Sequence, residues 1–464
     1  MRKEIFEDKK VLVMGLGRFG GGVDVVKFAH KAGAKVIVTD TAPAEKLADS
    51  LKQLSDLDGI EYHLGSHSKT DFEQADIVVA NPAVAPDNEF LEIARRFGKT
   101  ITSQVEIFFE LCPACIIGIT GSNGKSTTTA LTAHLLKDVR RQMTEDRGQK
   151  KRYGKVFLTG NIGNEPFLCL LEQIRKDDLV VIELSSFQVE HLARIKKMPQ
   201  IALLTNLTPN HLDRYGIFEN YCGAKELIFK FQKLDEKNPA VSIFNAGDKI
   251  SNQWFEKYKN DKGRTCVRFS ASDVSEEIKK HYKLPGWANL QNLAAALSIT
   301  KCLGLTDEQI KNAVSTFKAL PHRLELVADK DGIQWYNDSK STTPDSAIVA
   351  LQAFDRPVIL IAGGYDKHLP FDALGVEIAR RAKAAILIGQ TAPKIAEAIQ
   401  ATSDERRVTK VIVANSLAEA VAAALKNAHR GDIILLSPAC ASYDMFENYE
   451  HRGREFARLA LESK

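Results

Sequence analysis

The sequence predicts an α/β protein of three βα domains: N-terminal Rossmann-like, central P-loop ATPase-like and C-terminal Rossmann-like. Three observations predict it. Short apolar runs alternate with helical patterns from residue 10 almost to the C-terminus. Two glycine-bearing turns, Gly15–Gly20 and Gly121–Gly124, each lead from an apolar run into a helix. The 464 residues suggest about three domains.

The first domain is read over residues 1–103. Lys10–Met14 is a strand, Gly15-Leu16-Gly17-Arg18-Phe19-Gly20 a turn, and a helix follows to about Ala32. Lys35–Asp40 is a second strand ending in an acid, followed by Thr41. The spacing fits G-x-G-x-x-G with an acid 20 residues after the last glycine. It places a diphosphate at a helix N-terminus, which NAD or a UDP-sugar satisfies equally. Residues 75–80 and 99–102 are further strands, the first opening into Asn81-Pro82-Ala83-Val84. Ser103 and Glu106 have capping-box spacing at the start of a linking helix.

The second domain is read over residues 104–319. Cys115–Ile119 is a buried strand, and Lys125 opens a helix. Between them, Gly121, Ser122, Asn123 and Gly124 let the backbone curl around phosphates, while Ile119 replaces the first glycine of the strict Walker pattern. Lys125 would reach the β/γ-phosphates and Ser126 would sit on Mg²⁺, with Thr127 beside it. Residues 138–154 are polar without apolar periodicity and read as an exposed, mobile insertion. Lys155–Leu158 leads to Gly160-Asn161-Ile162-Gly163. Leu179–Glu183 is a buried strand ending on an acid, where a Mg²⁺ ligand belongs. Ile201–Thr205 leads to His211. Residues 219–233 form an amphipathic helix on which Lys225, read alone, is a surface lysine. Two more helices follow, an Ala-rich one carrying Asn289 and one at about 306–317.

The third domain is read over residues 320–464, with strands at 333–336, 358–362, 385–388, 408–413 and 432–436. Sites in parallel sheets lie at the carboxyl ends of strands.

Composition excludes several classes. Net charge is only +4, from 63 basic and 59 acidic residues, which argues against nucleic acid or membrane partners. No apolar run approaches the ~20 residues of a membrane span, and the N-terminus lacks an apolar leader core. Seven scattered cysteines fit reduced thiols in a cytoplasmic protein. Cys112-Pro-Ala-Cys115 is a lone pair, so zinc or redox use is the minority reading.

The run Thr120-Gly-Ser-Asn-Gly-Lys-Ser-Thr resembles the Mur ligases, which join amino acids to a cell-wall precursor using ATP. The likeness runs nearly end to end: Asn81-Pro-Ala-Val, Gly160-Asn-Ile-Gly, Glu183-Leu-Ser-Ser-Phe-Gln, Thr205-Asn-Leu-Thr-Pro-Asn-His-Leu-Asp-Arg-Tyr, Leu320-Pro-His-Arg-Leu-Glu, Asn337-Asp-Ser-Lys-Ser-Thr-Thr-Pro and Leu436-Ser-Pro-Ala-Cys-Ala-Ser-Tyr. Glu-Leu-Ser-Ser-Phe-Gln and Ser-Pro-Ala-Cys-Ala-Ser look like the D-glutamate-adding branch. The resemblance implies ATP and Mg²⁺, with UDP-N-acetylmuramoyl-L-alanine and D-glutamate as substrates, acting in the cytoplasm as a monomer. By resemblance, Gly15, Leu16, Gly17, Arg18, Asp40, Thr41 and Asn81 hold the UDP-sugar, and Asn161 orients it. One Mg²⁺ falls to Ser126 and Glu183, a second to His211 and Lys225. An ammonium cannot ligate Mg²⁺, and the matching lysine of the family is carbamylated. His322 and Arg323 would address phosphate, Asp338 the ribose and Asn289 the adenine. Ala288 departs from the family's His there. Lys367, Ser442, Tyr443 and Tyr449 would take D-glutamate. The alternatives are another Mur or folylpolyglutamate-type ligase, an NAD-dependent dehydrogenase, and a catalytically dead nucleotide-binding regulator.

Overall fold

A computed structural model describes residues 3–18, 20–145, 153–162, 167–402 and 409–463. The chain forms two compact units, Met1–Asp273 with Asn292–Ala313, and Val274–Gln291 with Val314–Lys464.

The first unit holds two sheets. Strands β1 (Lys10–Met14), β2 (Lys35–Asp40), β3 (Glu61–Leu64), β4 (Ile77–Ala80) and β5 (Thr100–Thr102) pair in the order β3-β2-β1-β4-β5, all parallel. Strands β6 (Cys115–Thr120), β7 (Val156–Gly160), β8 (Leu179–Glu183), β9 (Ile201–Leu204), β10 (Ala240–Asn245) and β11 (Arg264–Phe269) pair in the order β11-β10-β9-β6-β8-β7, again parallel. Strands buried on both faces must be apolar throughout, and Ile77-Val-Val-Ala80 and Leu179-Val-Val-Ile-Glu183 are buried at every position. Phe108, in the linking helix Gln104–Leu111, meets Phe167 edge to face at 5.2 Å, within a core shared by the first and second sheets. Ser103 does cap that helix and also donates to Glu106, while Glu106 pairs with Arg194.

The third sheet comprises β12 (Glu325–Lys330), β13 (Ile333–Asn337), β14 (Val358–Gly363), β15 (Ala382–Ile388), β16 (Lys410–Val413) and β17 (Ile433–Leu436), in the order β12-β13-β17-β14-β15-β16. It has an apolar core on each face.

Three expectations are corrected. The third sheet is not wholly parallel, because β12 forms an antiparallel hairpin with β13 through the turn Asp331-Gly332. Its alternating residues are half-exposed at a sheet edge, so no apolar run marks it. Residues 138–145 are not loop: they continue the helix Lys125–Glu145, where Leu131, Leu135 and Val139 lie on the core side at four-residue steps. Tyr153 is buried and donates to the Leu136 carbonyl, while 146–152 lie outside the described residues, as does Val408 of the expected strand. Lys225 is no surface lysine; it is 1% exposed. Strands β3, β10 and β11 also went unread. The seven cysteines are free, and burial pushes the Cys112 and Cys115 thiols up to about 11. No described helix is long and apolar enough to cross a membrane.

Candidate active site

The turn between β6 and the helix Lys125–Glu145 is shaped by two glycines. Gly121 has φ +142° and Gly124 +79°, and a Cβ on either would lie 2.0 Å from Thr205 Oγ1 or 2.2 Å from Asn292 Oδ1. Only glycine allows both the backbone and the close approach. The turn is clamped from β9's loop: Ser122 N–H donates to the Asn206 carbonyl and Asn123 N–H to Asn206 Oδ1, each at 2.9 Å. Thr205 Oγ1 donates to the Asn123 carbonyl at 2.6 Å. Lys125 Nζ folds back on the Ser122 carbonyl at 2.8 Å. Ser126 and Thr127 are buried at the start of the helix.

Beneath this turn lies a buried lysine. Lys225 Nζ donates to Thr120 Oγ1 at 2.8 Å, and Thr120 accepts that bond while donating to the Leu184 carbonyl at 2.7 Å. The ammonium is 5.5 Å from the Tyr221 ring, whose hydroxyl meets Ser122 Oγ at 3.1 Å. Burial holds Lys225 well below the ordinary lysine range, and Lys125 pushes the same way; Glu183 and Glu190 oppose them. Glu183, ending β8, is 2% exposed, and its Oε2 is buried without a hydrogen-bond partner among the described residues. His211 adopts φ +52° and packs on Phe187, ring centroids 5.2 Å apart. Burial is the chief cause lowering its pKa; Asp213 opposes, and Lys225, Lys125 and Arg214 add to the lowering, leaving a neutral imidazole near pH 7. Asn161 N–H donates to the Glu183 carbonyl at 3.1 Å, so the loop after β7 joins the same group. The structure thus brings Lys125, Ser126, Glu183, Lys225, His211 and Asn161 to the carboxyl ends of neighbouring strands.

These residues fit a magnesium nucleotide. The glycine turn is a cradle that a Cβ would fill, and the bare Glu183 oxygen with the Ser126 hydroxyl offers the hard donors Mg²⁺ takes.

In the first sheet, the turn after β1 is held from within. Asp40 accepts Gly17 N–H at 3.0 Å and Ala42 N–H at 2.8 Å, and Ser50 Oγ donates to the Gly17 carbonyl at 2.7 Å. Leu16 is buried; Arg18 and Thr41 are exposed. Asn81, after β4, presses on Gly15 and accepts Ala83 N–H at 3.0 Å. Gly15 and Asn81 line a cavity of about 40 Å³ with Pro82 and Gln104.

The second unit gathers another set. Asp338 follows β13 and accepts from Ser341 Oγ, from Ser437 Oγ at 2.9 Å and from Leu324 N–H at 3.1 Å. Burial raises its pKa to about 6 against those bonds. His322 Nδ1 meets Asn337 Nδ2 at 2.9 Å, with Arg323 next in the chain. Tyr449 packs on His322, ring centroids 6.1 Å apart, and carries Lys340 5.1 Å above its ring. Asn289 donates to the Pro285 carbonyl at 2.8 Å, within its own helix start. The loops after β14 and β17 meet: Tyr365 N–H donates to the Ala441 carbonyl at 2.9 Å, and the Tyr365 and Tyr443 rings lie 6.2 Å apart. Lys367 is exposed there, Ser442 is buried, and Asp366 is taken up by Lys394.

The residues that sequence reasoning missed are the supports: Thr120 under Lys225, Tyr221 beside Ser122, Asn206 clamping the turn, and Asn292 against Gly124. Thr120 ends β6 and Asn206 lies just past the end of β9, while Tyr221 and Asn292 sit on helices and carry no signal in the sequence.

Comparison with known proteins agrees with this layout. Residues 9–103 match the family described as Mur ligase MurD-like, N-terminal domain. Residues 119–284 match Mur ligase middle domain, and 322–440 match Mur ligase, glutamate ligase domain. The UDP-N-acetylmuramoylalanine–D-glutamate ligase of Roseiflexus sp. (strain RS-1) is 38% identical over 476 residues, covering 97% of this chain and 98% of the relative. The protein of that name from Koribacter versatilis (strain Ellin345) is 38% identical over 467 residues, covering 97% of each. Among solved structures, the UDP-N-acetylmuramate-alanine ligase of Thermotoga maritima shares the fold at TM-score 0.60 and 19% identity, covering 98% of this chain and 100% of that one.

Proposed function

The chain belongs to the Mur ligases, in the branch of its D-glutamate-adding relatives, and from that premise we propose that it joins D-glutamate to UDP-N-acetylmuramoyl-L-alanine with ATP. The observation that carries the reading is the pair of a glycine-built phosphate turn and, beneath it, the partnerless Glu183 oxygen beside buried Lys225.

The substrate carboxylate attacks the γ-phosphorus of ATP, breaking its bond to the β-phosphate bridge and releasing ADP. The amine of D-glutamate, having lost a proton, attacks the resulting acyl carbon. The C–N bond forms, the C–O bond to phosphate breaks, and inorganic phosphate and a second proton leave. Carboxylate and phosphate repel, so the first step needs cations between them. Lys125 supplies one. Mg²⁺, when bound, would supply the Lewis-acid neutralisation: Ser126 and Glu183 would hold one ion, and His211 with Lys225 a second. Gly121, Ser122, Asn123, Gly124 and Thr127 cradle the phosphates.

Lys225 completes the donor set after carbamylation. Its depressed pKa favours the neutral amine, whose nitrogen attacks CO₂ and loses a proton, turning a cation into an oxygen ligand.

The domain roles are assigned on the boundaries read from the sequence. Residues 1–103 take the UDP end through Gly15, Leu16, Gly17, Arg18, Asp40, Thr41 and Asn81, with Asn161 orienting the reacting end. Residues 104–319 take ATP; the assignment of Arg323, Asp338 and Asn289 to nucleotide rests on the family resemblance alone. Residues 320–464 take D-glutamate through Lys367, Ser442, Tyr443 and Tyr449. The enzyme acts in the cytoplasm as a monomer. The test is phosphate release with ATP, Mg²⁺, UDP-N-acetylmuramoyl-L-alanine and single amino acids. D-glutamate alone should support turnover; equal turnover with L-alanine or diaminopimelate would refute the assignment.

A further inference from the structure

Asp24 lies in the first turn of the helix Gly21–Lys31, directly behind the glycine turn, and is 1% exposed. No lysine or arginine pairs with it among the described residues. Instead its carboxylate accepts four N–H groups. Oδ2 takes Gln104 Nε2 at 2.7 Å, Phe167 N–H at 2.9 Å and Leu168 N–H at 2.8 Å; Oδ1 takes Cys169 N–H at 3.2 Å. Three consecutive backbone amides converging on one anion form a nest, here filled by the protein's own carboxylate. Those amides lie more than 140 residues away in sequence.

The tie joins three stretches. The first is the glycine turn, since Asp24 N–H donates to the Gly20 carbonyl at 2.9 Å. The second is Gln104, the opening residue of the linking helix. The third is residues 167–169, the described continuation of the chain that leaves β7 through Asn161. The near end of that chain is fixed separately, by Asn161 N–H on the Glu183 carbonyl at 3.1 Å.

We propose that Asp24 is a positioning residue for the UDP-linked substrate: its buried carboxylate fixes residues 167–169 and the start of the linking helix against the glycine turn, which ties the flank of the second sheet to the turn of the first and so sets the span between the diphosphate and the reacting carboxylate. This rests on the ligase reading above. One elongated substrate must be gripped at both ends, and a misplacement of about 1 Å at either end can cost about a hundredfold. ATP, held by the turn after β6, does not depend on this span.

The experiment compares Asp24→Asn, Asn161→Ala and the double variant. Asp24→Asn should raise KM for UDP-N-acetylmuramoyl-L-alanine about tenfold, ~1.4 kcal/mol, and leave KM for ATP unchanged. Because Asp24 and Asn161 serve the same substrate span, the double variant should be no worse than the poorer single one. Amide hydrogen exchange at Phe167, Leu168 and Cys169 should accelerate. Should Asp24→Asn not fold, Gln104→Ala removes one donor of the same carboxylate and should shift the same KM in the same direction. Effects that multiply independently, an ATP KM rising equally, or unaltered exchange at 167–169 would each overturn the proposal. Absence of wild-type turnover with this substrate would sink the ligase reading instead, while the exchange measurement still tests the tie.

Discussion

Two buried carboxylates in the first unit make a controlled comparison. Asp24 and Glu183 are 1% and 2% exposed. Asp24 is surrounded by four N–H donors, while Glu183 keeps an oxygen with no partner. An anion satisfied by backbone amides builds architecture. An anion left bare in the interior is costly unless something else fills the gap. On the function proposed above, the difference separates a charge that holds the protein from one that awaits a ligand.

The largest expected effects lie on the waiting side. Lys125→Ala should lower turnover by several orders of magnitude with the fold intact, read by phosphate release and circular dichroism. Near-normal activity in a folded variant would remove the phosphate-turn assignment. Lys225→Ala should be nearly inactive, and short carboxylic acids in the buffer should restore part of the activity by filling the oxygen-ligand position. A free amine found by intact mass in active, metal-loaded enzyme would end the carbamate proposal.

The next effect is one of sign. Asp24→Ala strands several buried N–H groups, each costing about 1–3 kcal/mol, so its thermal midpoint should fall clearly. Glu183→Gln relieves a bare buried charge, so it should lose activity without losing thermal stability, the trade expected where a site is kept at the expense of the fold. Equal destabilisation by both substitutions would erase the distinction.

How much of this was legible follows the same division. The glycines, Lys125 and Glu183 were readable because strand, turn and helix occur in register with them. The βα order was readable because doubly buried strands must be apolar. The helix through 138–145 was not, because few of its residues are apolar and their spacing is masked by charge. The edge strand β12 gave no run to see. Lys225 looked like a surface lysine because a lysine on an amphipathic helix is ordinarily solvated; here Tyr221, one turn earlier on the same helix, and Thr120, which approaches from elsewhere in the chain, enclose it. Asp24 had no sequence signal at all, since its partners are backbone amides 143 to 145 residues away and a glutamine side chain.

Asp338 extends the comparison to the second unit, as a buried acid with intermediate satisfaction. Burial raises its pKa from 3.8 to about 6. A carboxylate raised in the folded state favours folding below its unfolded pKa, and that contribution is lost as pH rises through the folded value. Stability should therefore fall between pH 3.8 and about 6, by on the order of 3 kcal/mol from this group. In Asp338→Asn the amide oxygen can keep the Leu324 N–H, and the Ser341 and Ser437 hydroxyls can turn. The variant should flatten the stability profile across that window in chemical denaturation at stepped pH. A wild-type profile as flat as the variant's would mean that the carboxyl is already ionised below pH 4.

The smallest effect belongs to the exposed cation. Lys367 stands on the loop after β14, which the Tyr365 N–H bond to Ala441 ties to the loop carrying Ser442 and Tyr443. Tyr443 is 68% exposed and Ser442 is buried, with the Ser442 carbonyl accepting Met445 and Phe446 N–H. Ser442 thus already organises its own loop through its backbone, and Lys367 is the cation of this pair of loops that can reach a free dicarboxylate. A hydrogen bond to a charged group is worth about 1.5–3 kcal/mol, and solvent screening puts an exposed lysine at the low end of that range. Lys367→Ala should therefore raise KM for D-glutamate about tenfold, at ~1.4 kcal/mol per decade. Being exposed, it should cost no thermal stability, unlike Asp24. KM for ATP and for the UDP-sugar should not move. If KM for ATP rises as much as KM for D-glutamate, Lys367 belongs to the nucleotide, and the two tied loops are not the amino-acid pocket.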